Sequence, residues 1–167
     1  MDGVRLVIDV QGVLPGEVLA KLAGGLDDTL ELMTHIGGVL ENGMLERLQT
    51  TKTAPDGTPW APNRAGTPIL VDSGWLLGSV GFIASPNEVQ AGASAHYAHV
   101  HQDGAVIKPK SAARLHFMVG NRHVFARQVT IPARPFVGVS AEDEREIERV
   151  TLDWLSDFIS GLPGGRQ

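Results

Sequence analysis

The stretch that decides the fold is VTIPARPFVGVSAEDEREIERVTLDW, residues 129–154. Because Pro132 and Pro135 fix φ and disfavour helix at the residue before them, residues 132–139, called the arm below, should be extended. Ser140 is the predicted N-cap of a helix, since its hydroxyl can accept a hydrogen bond from a free amide of the first turn. The carboxylates that follow it suit the positive end of a helix dipole. Apolar residues then recur at spacings of three and four, which indicates an amphipathic helix: Ile147, Val150, Trp154, Phe158 and Leu162.

The other short elements are predicted from residue alternation and turn residues. Apolar residues alternate over Val4–Val10, which indicates a strand with one buried face. A short helix is expected over Glu17–Ala23, where a glycine pair follows. Hairpins are expected over 81–93 and 115–129, with one or two helical turns between them at 95–102. This order predicts an α+β fold, in which antiparallel hairpins pack with a long N-terminal helix and the C-terminal amphipathic helix.

The long N-terminal helix should be capped by Asp27 or Asp28 and run to about Gln49. Its predicted apolar face is Leu30, Met33, Ile36, Leu40, Met44 and Leu48. Gly37 and Gly38 lie inside this helix, although each glycine costs roughly 1 kcal/mol relative to alanine. We interpret the pair as room for close packing against another element.

A long irregular loop is predicted over residues 51–68, where no aliphatic side chain larger than alanine occurs. Pro55–Gly57 predicts a turn, because proline presets φ and glycine accepts the left-handed conformation. Trp60 has two interpretations: it docks the loop on its own core, or it binds a partner. We expect a single domain over residues 1–162, followed by a flexible tail at 163–167.

Charge is unevenly distributed along the chain, which has a net charge of −5 and no cysteine. Residues 51–140 carry eight basic and four acidic side chains, whereas both flanking segments are acidic. From 104 to 141 there is no carboxylate, and the cations there are Lys108, Lys110, Arg114, Arg122, Arg127 and Arg134. This segregation indicates either a contact surface or a basic middle that folds against acidic helices of the same chain. No apolar run approaches the ~20 residues of a membrane span, and no secretory signal is evident, so we expect a cytoplasmic protein without membrane contact.

Residue patterns that would indicate catalysis are weak. If residues 95–102 are helical, His96 and His99 share a face and could bind a metal ion, but no nearby cluster supplies the remaining ligands, so we expect histidines held by hydrogen bonds instead. The role of His101 beside them stays open. Ser79 lacks the spacing of a nucleophile elbow. We therefore expect no catalytic residue, no metal and no cofactor.

A nucleic-acid-binding module is a further alternative, because Phe117 and Phe125 are interleaved with the basic residues of the second hairpin. The sequence pI of about 5.6 lies far below the ~9 of a dedicated binding domain. The charge pattern therefore favours at most transient contact with DNA.

Four ordered motifs carry a family resemblance: PDGTPWAP at 55–62, ILVDSGWL at 69–76, YAHVHQ at 97–102 and IPARPFVG at 131–138. Together they resemble the phage virion morphogenesis family, the tail-completion proteins of Mu-like and related tailed phages. The resemblance implies a non-enzymatic assembly protein at the head-proximal end of the tail, working as a ring that matches the six-fold symmetry of the tail. Its implied partners are copies of itself, a tail-tube or tail-terminator protein, and head-completion or connector proteins. Its implied location is the virion tail or neck, after assembly in the host cytoplasm. A tail terminator or another neck component is the alternative, and a small metal-dependent enzyme or a nucleic-acid-binding module is a more distant one.

The candidate partner-binding residues combine the basic stretch with the aromatic and polar residues of the motifs. They are Trp60, His101, Gln102, Lys108, Lys110, Arg114, Arg122, Arg127, Arg134 and Phe136. A ring built from head-to-tail contacts needs two different, complementary surfaces on each subunit. We therefore expect the hairpin over 115–129, with Arg122 and Arg127, to contact the acidic helix of a neighbouring copy.

Overall fold

A computed structural model describes residues 4–9, 29–63, 66–71 and 73–161 of the protein. In chain order these residues form β1 (Val4–Asp9), α1 (Leu30–Glu46), β2 (Val80–Ser85), β3 (Glu88–Ala93), α2 (Ala98–Asp103), β4 (Ala105–Ile107), β5 (Leu115–Val119), β6 (Arg122–Ala126), β7 (Val129–Ile131) and α3 (Ala141–Gly161). The α+β prediction is confirmed. The helix expected over Glu17–Ala23 and the tail at 163–167 lie outside the described residues.

The largest sheet has the strand order β1-β3-β2, and both pairs are antiparallel. The predicted hairpin is present as β2 and β3, in a register that pairs Val80 with Ala93 and Ser85 with Glu88. Along β3 every second side chain is buried, namely Val89, Ala91 and Ala93. Because side chains alternate between the faces of a strand, this pattern turns one face of the sheet toward the core.

Helix α1 packs across the buried face of this sheet. Five of its side chains, together with Leu48 in the next turn, contribute to the apolar core, and Arg47 is buried beside them. The five are Leu32, Met33, Ile36, Leu40 and Met44. A Cβ atom on Gly37 would lie 2.2 Å from Cδ2 of Phe82 on β2. Among the described residues, a Cβ atom on Gly38 would meet no atom of another element within 4 Å. The close-packing prediction is therefore confirmed for Gly37 and wrong for Gly38.

The end of α1 widens into a π-helical turn over Arg47–Thr51. The turn ends at Lys52, which has the left-handed φ of 55°. The helical region thus extends to within two residues of the predicted end at Gln49. The widened turn places Arg47 and Leu48 together on the buried side of the helix.

Two small antiparallel sheets lie between α2 and the arm in the sequence. β4 pairs with β7, and β5 pairs with β6. The second predicted hairpin is confirmed, with a bend at Gly120, whose φ is 57°. Its second strand ends at Ala126, because Val129–Ile131 pairs with β4 instead.

Helix α3 begins with the predicted cap at Ser140. The Asp143 amide donates to Ser140 Oγ at 3.2 Å, and the Ser140 amide donates to Asp143 Oδ2 at 2.8 Å, which is the reciprocal arrangement of a capping box. Ile147, Val150 and Trp154 are half-buried against the core, so the predicted apolar face of this helix is confirmed. Across the described part of the chain, none of the helices is both apolar enough and long enough to span a membrane.

Candidate functional site

The arm runs through the centre of the candidate site without regular secondary structure, as the two prolines predict. Its Phe136 side chain is fully buried, with 0% of its surface exposed, and Val137 beside it is 8% exposed. The arm's backbone amides and carbonyls cannot pair within a helix or sheet, so other residues must satisfy them. Polar side chains from α1, α2 and the 51–68 loop do so.

Arg47 joins the end of α1 to the arm and to the start of α3. Its Nε donates to Phe136 O at 3.0 Å, its Nη2 donates to Gly138 O at 2.8 Å, and its Nη1 donates to Asp143 Oδ2 at 2.8 Å. The side chains of Arg47 and Asp143 are each only 6% exposed. A buried ion pair is stable only when hydrogen bonds satisfy the rest of each charged group, and the three acceptors around this guanidinium meet that requirement.

Gln102, at the end of α2, holds the arm from the other side. Its Oε1 accepts from the amides of Phe136 at 3.0 Å and Val137 at 3.1 Å, and its Nε2 donates to Val137 O at 2.9 Å. One side-chain amide thus replaces a neighbouring strand for two residues of the arm. The backbone of the same helix contributes as well, since the Arg134 amide donates to His101 O at 2.7 Å.

The 51–68 loop docks on the arm through Trp60 and Arg134. The indole Nε1 of Trp60 donates to Pro135 O at 3.1 Å. Arg134 donates to Ala61 O from Nε at 3.1 Å and from Nη2 at 2.8 Å. Trp60 is 7% exposed and Arg134 is 5% exposed, and burial lowers the pKa of the Arg134 guanidinium. Of the two interpretations of Trp60, docking of the loop on its own core is therefore confirmed.

The loop itself is closed by the predicted turn. The Thr58 amide donates to Asp56 Oδ1 at 2.9 Å, and Gly57 has a φ of 84°. This turn lies between Thr53 and Pro59, which form an isolated antiparallel bridge. The Thr58 hydrogen bonds lower the pKa of the Asp56 carboxyl, since they favour its charged form.

His101 lies half-buried beside the arm, and within the described part of the chain its Nδ1 has no hydrogen-bond partner. Burial lowers the pKa of His101, and the positive charge of Arg134 lowers it further. The imidazole meets the Tyr97 ring edge-on, with 5.9 Å between the ring centres. It is therefore favoured as a neutral ring in the interior.

The exposed part of the site is the β5–β6 hairpin with the residues around it. Five of the predicted cations are exposed there, namely Lys108, Lys110, Arg114, Arg122 and Arg127. The ion pairs among the described residues involve none of them. The basic middle of the chain therefore does not form ion pairs with the acidic helices of its own copy in the described ranges, contrary to that interpretation of its charge.

One face of this hairpin is both aromatic and exposed. We call His116, Met118, His123 and Phe125 the hairpin face, since each is exposed and they alternate with half-buried neighbours. The His116 and Phe125 rings stack with 4.6 Å between their centres. His116 Nε2 and His123 Nδ1 are 2.8 Å apart and share a hydrogen bond. Met118 is 53% exposed and Phe125 61% exposed, which is unusual for side chains of this size.

The predicted site thus divides into a buried and an exposed group. Trp60, Arg134 and Phe136 are buried in contacts within the chain, and His101 and Gln102 are half-buried against the arm. Partner binding by the five exposed cations stays a prediction. Among described residues, no group of three or more histidines or carboxylates could hold a metal ion.

Sequence reasoning missed the ion pair between Arg47 and Asp143. A signal for Arg47 was present, because it follows Met44 by three residues on the apolar face of α1. Asp143 was interpreted only as a carboxylate near a helix start, although its position three residues after Ser140 also fits a capping box. The exposed Met118 also went unnoticed.

Comparison with known proteins identifies the family to which this chain is similar. A sequence model described as the phage virion morphogenesis family matches residues 13–156. The chain is also similar to "Mu-like prophage FluMu G protein 2" of Haemophilus influenzae, with 31% identity over 147 residues that cover 86% of this chain and 88% of that protein. No solved structure matches the chain.

Proposed function

This chain belongs to the phage virion morphogenesis family, and we propose that it is a non-enzymatic assembly protein that completes the tail at its head-proximal end and joins it to the head. Family membership supports the coarser statement, a role in building the phage particle. The finer role at the tail or neck rests on the resemblance of the four motifs and on the surface described above.

The observation that carries the proposal is that one set of polar side chains holds the chain's own backbone, whereas a second set is exposed. Arg47, Gln102 and Arg134 each donate at least one hydrogen bond to a backbone carbonyl of the arm or of the loop that docks on it. These groups hold one conformation of the chain. The five exposed cations, which form no ion pair among the described residues, and the hairpin face are in contrast available to other folded chains.

We infer that the protein works as a ring of identical copies. Charge is segregated on the subunit: the hairpin region is basic, whereas α3 carries seven carboxylates and two arginines. Opposite charges on different surfaces favour a heterologous, head-to-tail contact, which closes into a ring when the rotation permits. A tail-tube or tail-terminator protein on one side and a head-completion or connector protein on the other are its proposed neighbours, with at most transient contact to genomic DNA. This ring belongs to the virion tail or neck, after assembly in the host cytoplasm.

Electron microscopy of lysates from a phage in which this gene is interrupted tests the proposal. Full heads and finished tails of normal length that remain separate are expected, and supplying the wild-type protein from a plasmid should restore joined particles. Tails of abnormal length would indicate a tail terminator instead. Normally joined virions without the protein would refute the assignment.

A further inference from the structure

Helices α1 and α3 line an open groove of about 730 Å³. Its apolar lining includes Val39, Val150, Trp154 and Phe158. The rings of Trp154 and Phe158 stack with 5.5 Å between their centres, so the groove has an aromatic wall. A groove of this size lies within the range that buries apolar groups of a bound partner.

The rim of this groove is negatively charged. Arg149 lies on the rim, but it pairs with Glu146 at 2.6 Å and with Asp153 at 2.7 Å, so its charge is already matched. Glu31 and Asp157 also lie on the rim. Within the ranges that the structure describes, neither of these two carboxylates has an ion-pair partner.

The hairpin face has the opposite properties. Met118 and Phe125 project apolar surface into solvent. Arg122, which pairs with Val119 on the other face at the end of the hairpin, and Arg127, which follows β6, carry positive charge that no described carboxylate neutralises. Exposed aromatic and Met side chains flanked by arginine are the composition that protein interfaces favour. DNA phosphates would be bound by the cations but would leave the two apolar side chains without a function.

We propose that the β5–β6 hairpin of one copy docks in the α1–α3 groove of the next copy, with Met118 and Phe125 against Trp154 and Phe158 and the hairpin arginines near Glu31 and Asp157. This inference rests on the proposed ring. The hairpin face and the groove share no residue, so each copy can offer both surfaces at once. Such a contact is heterologous and repeats from copy to copy.

Charge reversal tests the contact in purified protein. One variant reverses the hairpin (Arg122→Glu with Arg127→Glu), and the other reverses the groove (Glu31→Lys with Asp157→Lys). Each variant alone should associate about tenfold more weakly than wild type or worse in sedimentation velocity, because like charges then face each other. An equimolar mixture should recover association, since every contact between unlike variants pairs opposite charges. Arg145→Glu, an exposed change on α3 outside the groove lining, is the control and should associate as wild type does.

A cross-linking assay keeps the test decisive when association is weak. The chain has no cysteine, so Phe125→Cys and His35→Cys each introduce a single thiol, the latter on the groove lining. Mixing the two proteins under oxidation should form disulfide-linked heterodimers several-fold faster than mixing Phe125→Cys with Ser156→Cys, an exposed α3 position outside that lining.

The results separate this contact from the proposed function. Wild-type association in both charge-reversed variants, a mixture that does not recover, or equal cross-linking rates would overturn the hairpin–groove contact and leave head–tail joining untouched. Duplex DNA binding that falls steeply with salt and is lost on reversing the hairpin, with self-association unchanged, would overturn it in favour of nucleic acid. Normally joined virions from the phage that lacks this protein would instead refute only the proposed role in head–tail joining.

Discussion

Replacing Asp143 with asparagine should destabilise the protein far more than any change at its exposed neighbours. The carboxylate is buried, lies 2.8 Å from Arg47 Nη1 and accepts the Ser140 amide at 2.8 Å. Asparagine has nearly the same shape and keeps an oxygen that can cap Ser140. The substitution therefore removes charge from the pair and leaves the guanidinium of Arg47 buried without a counter-ion.

Breaking a buried pair from one side typically destabilises a protein by about 3–5 kcal/mol. Arg47 retains the carbonyls of Phe136 and Gly138 as acceptors, so we expect the lower end, about 3 kcal/mol. That is a large fraction of the 5–15 kcal/mol by which domains are usually stable. Glu142→Gln is the matched control, because it removes a carboxylate from the same helical turn. Its partner Arg145 is exposed, and surface pairs contribute about 0–1 kcal/mol.

Urea unfolding followed by circular dichroism gives the free energy of unfolding for both variants and wild type. The difference between the two variants removes the effect of helix-dipole charge, which both lose. If Asp143→Asn lies within about 1 kcal/mol of Glu142→Gln, the buried pair does not hold α1, the arm and α3 together, and the assignment is wrong.

Three further outcomes are expected from the same assay. Gly37→Ala should destabilise the protein by about 1–3 kcal/mol, because the new Cβ would lie 2.2 Å from the Phe82 ring. Gly38→Ala, which meets no described atom of another element, should be neutral or stabilising by up to about 1 kcal/mol. Equal effects of the two substitutions would contradict the close packing at Gly37. Gln102→Leu should cost on the order of 3 kcal/mol, since two arm amides and one carbonyl lose their partner, and a loss below about 1 kcal/mol would argue against the clamp. Burial lowers the pKa of His101 in the folded protein, and the Arg134 guanidinium lowers it further. Because the unfolded chain then binds a proton more readily than the folded one, the free energy of unfolding should fall as the pH drops below about 6.5. His101→Gln should flatten that slope, and an unchanged slope would exclude this histidine as its cause.

Local features of the fold were predictable because their causes lie within a few residues of each other. Alternation predicted the first strand and both hairpins, and Ser140 with its following carboxylates predicted the start of α3. The Pro55–Gly57 turn followed from the φ preferences of its residues. Each of these depends on short-range geometry, which a single sequence carries.

The buried contacts of the arm were not predictable in this way. Arg47 and Asp143 are 96 residues apart in the chain, and only the tertiary arrangement of α1 and α3 brings them together. The same holds for Gly37 and Gly38, which are equivalent in sequence but differ in which one faces the sheet. From the sequence alone, Trp60 could be either a core residue or a partner-binding residue. Its hydrogen bond to Pro135 O shows that it packs within its own chain.

The family motifs acquire a structural meaning from these contacts. Trp60 of the first motif donates to Pro135 O of the last, and Gln102 of the third motif binds the arm's backbone. The first and third motifs therefore both contact the last one inside the molecule. Residues 105–129, which include the hairpin face, lie between the third and last motifs and belong to neither. Because the arm is held from other elements, substitutions on the exposed hairpin should leave the fold undisturbed, and under the proposed contact they would change which chain the hairpin binds. The motifs therefore identify the scaffold, and the sequence between them is where the choice of partner should be sought.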